Sequence, residues 1–175
     1  MAIVNKPPPF YTAENLGIRT SNTASQNSDA IEAAFASMQN GTTAWEIRFS
    51  NGDYEFARTI QVIRPAILNG VGPRPGSTRL QFPNGVDGIL VDYFIAGTPF
   101  KYGSGAAIQN LGLYQHGGTV SGNALTLHGL CYVRNVIADH WKGNGFHVEA
   151  SVPASNANGV AIEYCMAGSC YHGYY

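Results

Sequence analysis

Residues 48–72 read RFSNGDYEFARTIQVIRPAILNGVG, and the alternation within them decides the fold. Tyr54 and Phe56 flank Glu55, and Ile60 and Val62 flank Gln61, the two-residue period of strands with one buried face. Asn51-Gly52 is a turn signal, Pro65 breaks a strand pair, and Asn69-Gly70-Val71-Gly72 turns the chain again. Upstream, Trp45, Ile47 and Phe49 alternate with Glu46 and Arg48. Before them, Ile31, Ala34, Phe35 and Met38 fall at i, i+3, i+4 and i+7, one apolar face of a helix. Asn27, Ser28 and Asp29 offer N-cap side chains, Asp29 with Glu32 has the spacing of a capping box, and the helix is expected to run to about Asn40. Residues 1–12, with Pro7, Pro8 and Pro9, read as an extended arm. Residues 13–44 read as an N-terminal strand and a helix that covers the end of a β stack, and residues 45–175 as the stack itself.

Two loose phrases recur downstream. A small residue followed by apolar, any, apolar occurs at Gly88–Val91, Ala124–Leu127 and Gly145–Val148, and begins again at Gly173. The phrase apolar, any, Asn, apolar occurs at Ile108–Leu111 and Val133–Val136, and imperfectly at Ile162–Cys165. Alternating phrases with a period of about 20–50 residues are the mark of stacked repeats, in which no repeat buries its apolar face alone. Stacking aligns Asn110 with Asn135 as an amide ladder, Arg134 with Glu163 as a surface ion pair, and Val136 with Cys165 in the core. The phrases lead to an all-β stack of coils, and the resemblance given below implies that it is a right-handed single-stranded parallel β-helix with an N-terminal capping α-helix. The chain stops as a further phrase begins, so the natural polypeptide is expected to continue past residue 175.

Composition narrows the function classes. Charged residues make up 12% of the chain, about half the usual ~25%, while Gly supplies 21 of 175 residues. Few charges and many turn residues suit short strands rather than a helical bundle. A net charge of −1 offers no basic footprint for nucleic acid. No apolar run approaches the ~18 residues of a membrane span. The first residues lack the apolar core of a signal peptide, so synthesis and folding in the cytoplasm are expected. Cys131, Cys165 and Cys170 are an odd count, which argues for buried thiols rather than a disulfide framework. No CxxC or HxxxH spacing supports a metal site, and no cofactor is expected.

The segment Leu16 to Phe82 resembles the N-terminal region of pectate-lyase-like parallel β-helix proteins, the superfamily that includes phage tailspikes. The residues that carry the likeness are Asn15-Leu16-Gly17-Ile18, Ser28-Asp29-Ala30-Ile31-Glu32-Ala33-Ala34, Phe49-Ser50-Asn51-Gly52-Asp53-Tyr54 and Leu68-Asn69-Gly70-Val71-Gly72. The departures are Ser50-Asn51, where Pro-Ala is common, and a degenerate loop before the helix. These positions are structural in the family, so the likeness implies a fold and leaves activity open.

Enzymes of that superfamily place carboxylates on one face of the middle repeats. The repeat region here holds Asp87, Asp92, Asp139, Glu149 and Glu163, and no two fall on one face at two-residue spacing. The richest local cluster is Asp139-His140-Trp141, an acid, an imidazole and an indole beside a Gly turn. With Tyr114 and Tyr171, these are the candidate glycan contacts, since flat rings stack on sugars. The alternative for Asp139 and His140 is a plain polar turn. His128, His147 and His172 lie in or beside strand phrases, where satisfied structural roles are commoner than catalytic ones.

The resemblance and the missing export signal together imply a virion spike or fibre, tailspike-like or head-spike-like. Such a protein is made in the host cytoplasm, held to a virion attachment protein through its N-terminal region, and expected as a homotrimer. Its expected partner is bacterial surface polysaccharide, for host adsorption, with neither nucleic acid nor membrane. The alternatives are a polysaccharide lyase or glycoside hydrolase acting outside the cell, and a non-enzymatic adhesin. No catalytic constellation is legible in the sequence.

Overall fold

The computed structural model describes residues 10–37, 45–63, 65–92, 105–117, 119–149 and 159–175. They form fourteen strands and one α-helix. The strands are β1 (Phe10–Thr12), β2 (Trp45–Arg48), β3 (Gly52–Glu55), β4 (Ile60–Val62), β5 (Ala66–Asn69), β6 (Thr78–Phe82) and β7 (Ile89–Val91). There follow β8 (Ala106–Gln115), β9 (Leu125–Leu127), β10 (Cys131–Asp139), β11 (Asn144–Val148), β12 (Ala161–Glu163), β13 (Met166–Gly168) and β14 (His172–Tyr174). The helix α1 spans Ala24–Ser37.

All the ladders are parallel, and they form two sheets of nine and five strands. The larger carries β1-β2-β5-β8-β10-β12 along one line, with β3, β6 and β13 joined beside it. The smaller is β14-β11-β9-β7-β4. The recurring phrases set the register: Ile108 opposes Val133, which opposes Ile162, and Ile89, Leu125, Phe146 and Tyr174 oppose one another in turn. Three columns of inward side chains result. Ile47, Leu68, Ile108 and Val133 form the first, Tyr54, Leu80, Leu113 and Ala138 the second, and Ile60, Ile89, Leu125 and Phe146 the third, all buried in one core. The three cysteines are free, and burial pushes the Cys131 thiol up to about 12.

The expected all-β, right-handed single-stranded parallel β-helix is corrected by this topology. The described residues form two separate parallel sheets and a helix that shares their core, a mixed α/β arrangement with no closed helix. The helix is more than a lid. Ile31 and Phe35 lie inside the common core. The fully buried Asn27 carboxamide donates to the carbonyls of Arg19 and Glu55 and accepts the Arg19 N–H, and Ser28 Oγ accepts the N–H groups of Ala57 and Arg58.

The helix also begins earlier than its sequence signals suggest. Thr23 caps it: Thr23 Oγ1 accepts the Gln26 N–H at 3.3 Å and Gln26 Oε1 accepts the Thr23 N–H at 2.9 Å, a capping box six residues upstream of the expected one. Asp29 and Glu32 instead both hold Arg58, at 2.6 and 2.9 Å. Met38 and the expected helix end near Asn40 lie outside the described residues. Of the expected N-terminal arm, Phe10–Thr12 is an edge strand paired with β2, and the rest lies outside the described residues.

Left-handed residues explain why β8 and β10 are long. Asn110 and Asn135 have φ of 56° and 52°, and the bend at each lets one strand serve two rows. Residues 107–109 pair with β5 and residues 112–115 pair with β6. Asn is among the few non-Gly residues that adopt this conformation readily. Its amide also stacks: Asn135 Nδ2 donates to Asn110 Oδ1 at 2.9 Å and Asn110 Nδ2 to Asn69 Oδ1 at 3.0 Å, while Asn69 Nδ2 donates to Glu46 at 2.8 Å. In the next repeat the position is Tyr164, φ 54°. Arg134 does not close on Glu163. Its guanidinium lies 5.6 Å from the Tyr164 ring centroid, and Glu163 accepts the Tyr132 hydroxyl at 2.7 Å.

Candidate functional site

The outer face of the larger sheet carries a groove of about 210 Å³ where β6, β8, β10 and β13 run side by side. Strand register builds it. One outward row is Asp53, Arg79, Gly112, Ile137 and Met166, and the next is Gln81, Tyr114, Asp139 and Gly168. Gly112 is the gap in the first row, and the loop carrying Pro73 and Pro75 closes one side. A Cβ on Gly112 would lie 2.9 Å from the Pro73 carbonyl oxygen and 3.1 Å from Arg79 Cγ, so the groove requires a residue without a side chain there.

Charge in the groove is fixed by pairing. Asp53 receives Arg79 Nε at 2.9 Å and Nη2 at 2.6 Å, a two-point clamp across adjacent strands. The Arg79 hydrogen bond holds the Asp53 carboxyl below its ordinary value, and Asp53 raises the guanidinium in turn. Arg79 lies 5.2 Å from the Tyr114 ring centroid, and His140 packs against the same ring at 4.9 Å. Asp139 Oδ1 is 3.0 Å from His140 Nδ1, and both side chains stay accessible, at 39% and 52%. His140 is itself left-handed, φ 65°, which turns the chain at the end of β10.

Of the residues singled out from sequence, the structure thus brings Tyr114, Asp139 and His140 together. Trp141 is corrected: it is fully buried, its Nε1–H donates to the Leu113 carbonyl at 3.2 Å, and its ring packs against Phe82 at 5.8 Å. A left-handed residue followed by an inward one recurs at Asn110-Leu111, Asn135-Val136 and His140-Trp141, so the indole is the core member of its pair. Tyr171 is 75% exposed but lies against His172, at 4.5 Å between ring centroids, and does not line the groove. Arg79 and Asp53 were missed in sequence because their pairing depends on the β3–β6 register, across a loop with no repeat phrase.

A second cluster was also missed. Val91, Leu127 and Val148 are aligned on the smaller sheet, and the residues after them are Asp92, His128 and Glu149. His128 Nδ1 is 2.9 Å from Asp92 Oδ2, and its Nε2 is 3.1 Å from Glu149 Oε1. His147 Nε2 lies 3.6 Å from the other Glu149 oxygen. The two acids thus share one sheet end with an imidazole between them, brought together across strands rather than at two-residue spacing within one. Aligning the residue that follows each first phrase would have placed all three in one column. Among the described residues, no group of three or more His, Cys, Asp or Glu side chains is arranged to hold a metal ion.

No protein-family model matches the chain, and no curated protein matches it. Among solved structures, the chain is similar at 11% identity to a provisionally assigned glycosyl hydrolase from Parabacteroides merdae. That likeness covers 91% of this chain and 98% of the other, at a TM-score of 0.28, which carries no argument about fold or activity.

Proposed function

We propose that the chain is the glycan-recognising part of a virion spike or fibre and that the groove between Arg79, Tyr114 and Asp139 contacts bacterial surface polysaccharide during host adsorption. The groove is the observation that carries this reading. It combines an aromatic wall, apolar flanks from Ile137, Met166, Pro73 and Pro75, and an accessible carboxylate beside an imidazole. Sugars present apolar ring faces and hydroxyl donors, and this lining answers both. At about 210 Å³ the groove is smaller than the ~300–1,000 Å³ of small-molecule sites, which suits one ring of a longer chain. The particle context, the homotrimer and the N-terminal attachment rest on the sequence resemblance.

Titration with surface-polysaccharide fragments, followed by calorimetry, tests the glycan reading. Tyr114→Ala is expected to weaken binding about tenfold, the equivalent of ~1.4 kcal/mol. Equal affinity in the variant, or no binding by the parent chain, defeats it.

A depolymerase is the second reading, favoured by one observation: Glu149 is half-exposed and backed by His128 and buried Asp92. Release of reducing ends from polysaccharide, lost in Glu149→Gln, would support it over a purely adsorptive role.

A further inference from the structure

We infer that the groove selects an uncharged, hydroxyl-rich pyranose chain and rejects acidic glycans; this rests on the glycan reading above. The only guanidinium among the lining residues is Arg79, and two of its nitrogens are already held by the two oxygens of Asp53. A sugar carboxylate entering the groove finds that cation neutralised and meets Asp139 across the floor. Like charges at close range in a half-desolvated site disfavour each other. Arg74, on the exposed loop between Pro73 and Pro75, brings the local sum of Arg74, Arg79, Asp53 and Asp139 to neutrality without lining the groove. A neutral pyranose has no such conflict. The Asp139 carboxylate accepts hydroxyl hydrogens, and charge-assisted bonds of this kind are about twice as strong as neutral ones. Tyr114, Ile137 and Met166 cover the ring's apolar face.

With Arg74, Arg79, Asp53 and Asp139 summing to zero, hydroxyl geometry rather than net charge carries recognition, and affinity is insensitive to salt.

The experiment compares four probes by calorimetry and by backbone NMR shifts at Tyr114, Asp139 and His140: a mannan oligosaccharide, a dextran oligosaccharide, an oligogalacturonate and a chitosan oligosaccharide. The expected result is that at least one neutral probe shifts these signals, with affinity constant within twofold between about 50 and about 500 mM salt. Asp139→Asn, which keeps the shape and removes the charge, is expected to weaken that probe about tenfold, while oligogalacturonate stays at least tenfold weaker on the parent chain. Preferred binding of oligogalacturonate in the groove, strengthened by Asp139→Asn, overturns the inference and leaves the glycan reading standing. Salt-sensitive preference for chitosan does the same. Failure of all four probes and of surface-polysaccharide fragments removes both.

Discussion

Replacing Tyr164 by Asn asks whether the amide ladder is a working part of this fold. Tyr164 occupies the position held by Asn110 and Asn135 in the two preceding repeats, with the same left-handed backbone, φ 54° against 56° and 52°. A bulky residue there costs about 1–2 kcal/mol relative to ordinary backbone, and Asn tolerates it better. An Asn side chain would also extend the ladder, its Nδ2 donating to Asn135 Oδ1 as Asn135 donates to Asn110. One such bond is worth about 0.5–1.5 kcal/mol net. Against these stands the loss of the Arg134 contact, 5.6 Å from the ring centroid and at an exposed site, worth about 0.5–1 kcal/mol. Tyr164 is 81% exposed, so little burial is lost. The balance favours Asn by about 1 kcal/mol, which for a chain of this size raises Tm by about 2–4 °C.

Differential scanning calorimetry reads the effect, with urea midpoints as a check that the m-value is unchanged. The converse substitution, Asn135→Ala, removes a ladder bond and forces Ala into the left-handed region, and is expected to cost about 2 kcal/mol. An unchanged or lower Tm for Tyr164→Asn, with Asn135→Ala destabilising as expected, would refute the strain half of the reasoning. An Asn135→Ala protein as stable as the parent would refute the ladder itself.

Four further substitutions probe the rest of the frame. Thr23→Ala removes the helix cap and is expected to cost about 1 kcal/mol in urea unfolding, whereas Asp29→Ala, at the cap position suggested by sequence, should cost clearly less. His128→Ala takes the imidazole from between Asp92, 5% exposed, and Glu149, and is expected to lower stability by about 1–3 kcal/mol; no loss would mean that the cluster bears no structural load. Arg79→Ala is expected to cost about 0.2–1 kcal/mol, because both partners of the Asp53 pair are partly exposed. Asp53 is held below its ordinary value in the folded state, so the pair's contribution is present above the free carboxylate value of about 3.9 and is lost as pH falls below it. The parent and Arg79→Ala should therefore converge in Tm on acidification, and a gap that persists at low pH contradicts the assignment.

The register of this protein was largely legible in its residues, and the reason is steric. Inward positions tolerate only apolar side chains, so Ile89, Leu125 and Phe146, or Ile108 and Val133, announce themselves as aligned. Ile60 and Leu68 fell outside the repeat phrases because Thr59 stands where the first phrase has Gly or Ala, and Asn69-Gly70 stands where the second has any residue followed by Asn. The class was misread for a different reason. Apolar spacing in α1 says which face is buried but not against what, and Asn27 and Ser28 look like caps although their side chains bind distant backbone. Trp141 was misassigned because a neighbouring acid and imidazole suggested a surface, while the left-handed turn at His140 rotates the next residue inward. That rotation is a backbone property and leaves no composition signature.

The candidate site sits where the repeat pattern is broken. Along the outward row from Asp53 to Met166, every position but Gly112 carries a side chain, and that missing one admits the Pro73 loop to within contact of the strand. A regular stack presents a flat, ridged wall with no concavity, and recognition of a sugar ring needs a recess. Gly112 supplies the recess, the Arg79–Asp53 clamp fixes its rim, and the Asn69–Asn110–Asn135 ladder holds the adjoining bend of β8 and β10 in place. Gly112→Ala tests this. Its Cβ would lie 2.9 Å from the Pro73 carbonyl oxygen, a backbone atom, so the loop must shift and the groove change shape. The expected outcome is a folded but less stable variant that loses the glycan binding proposed for the groove, and a variant that binds as the parent does would place the proposed recognition elsewhere on the molecule.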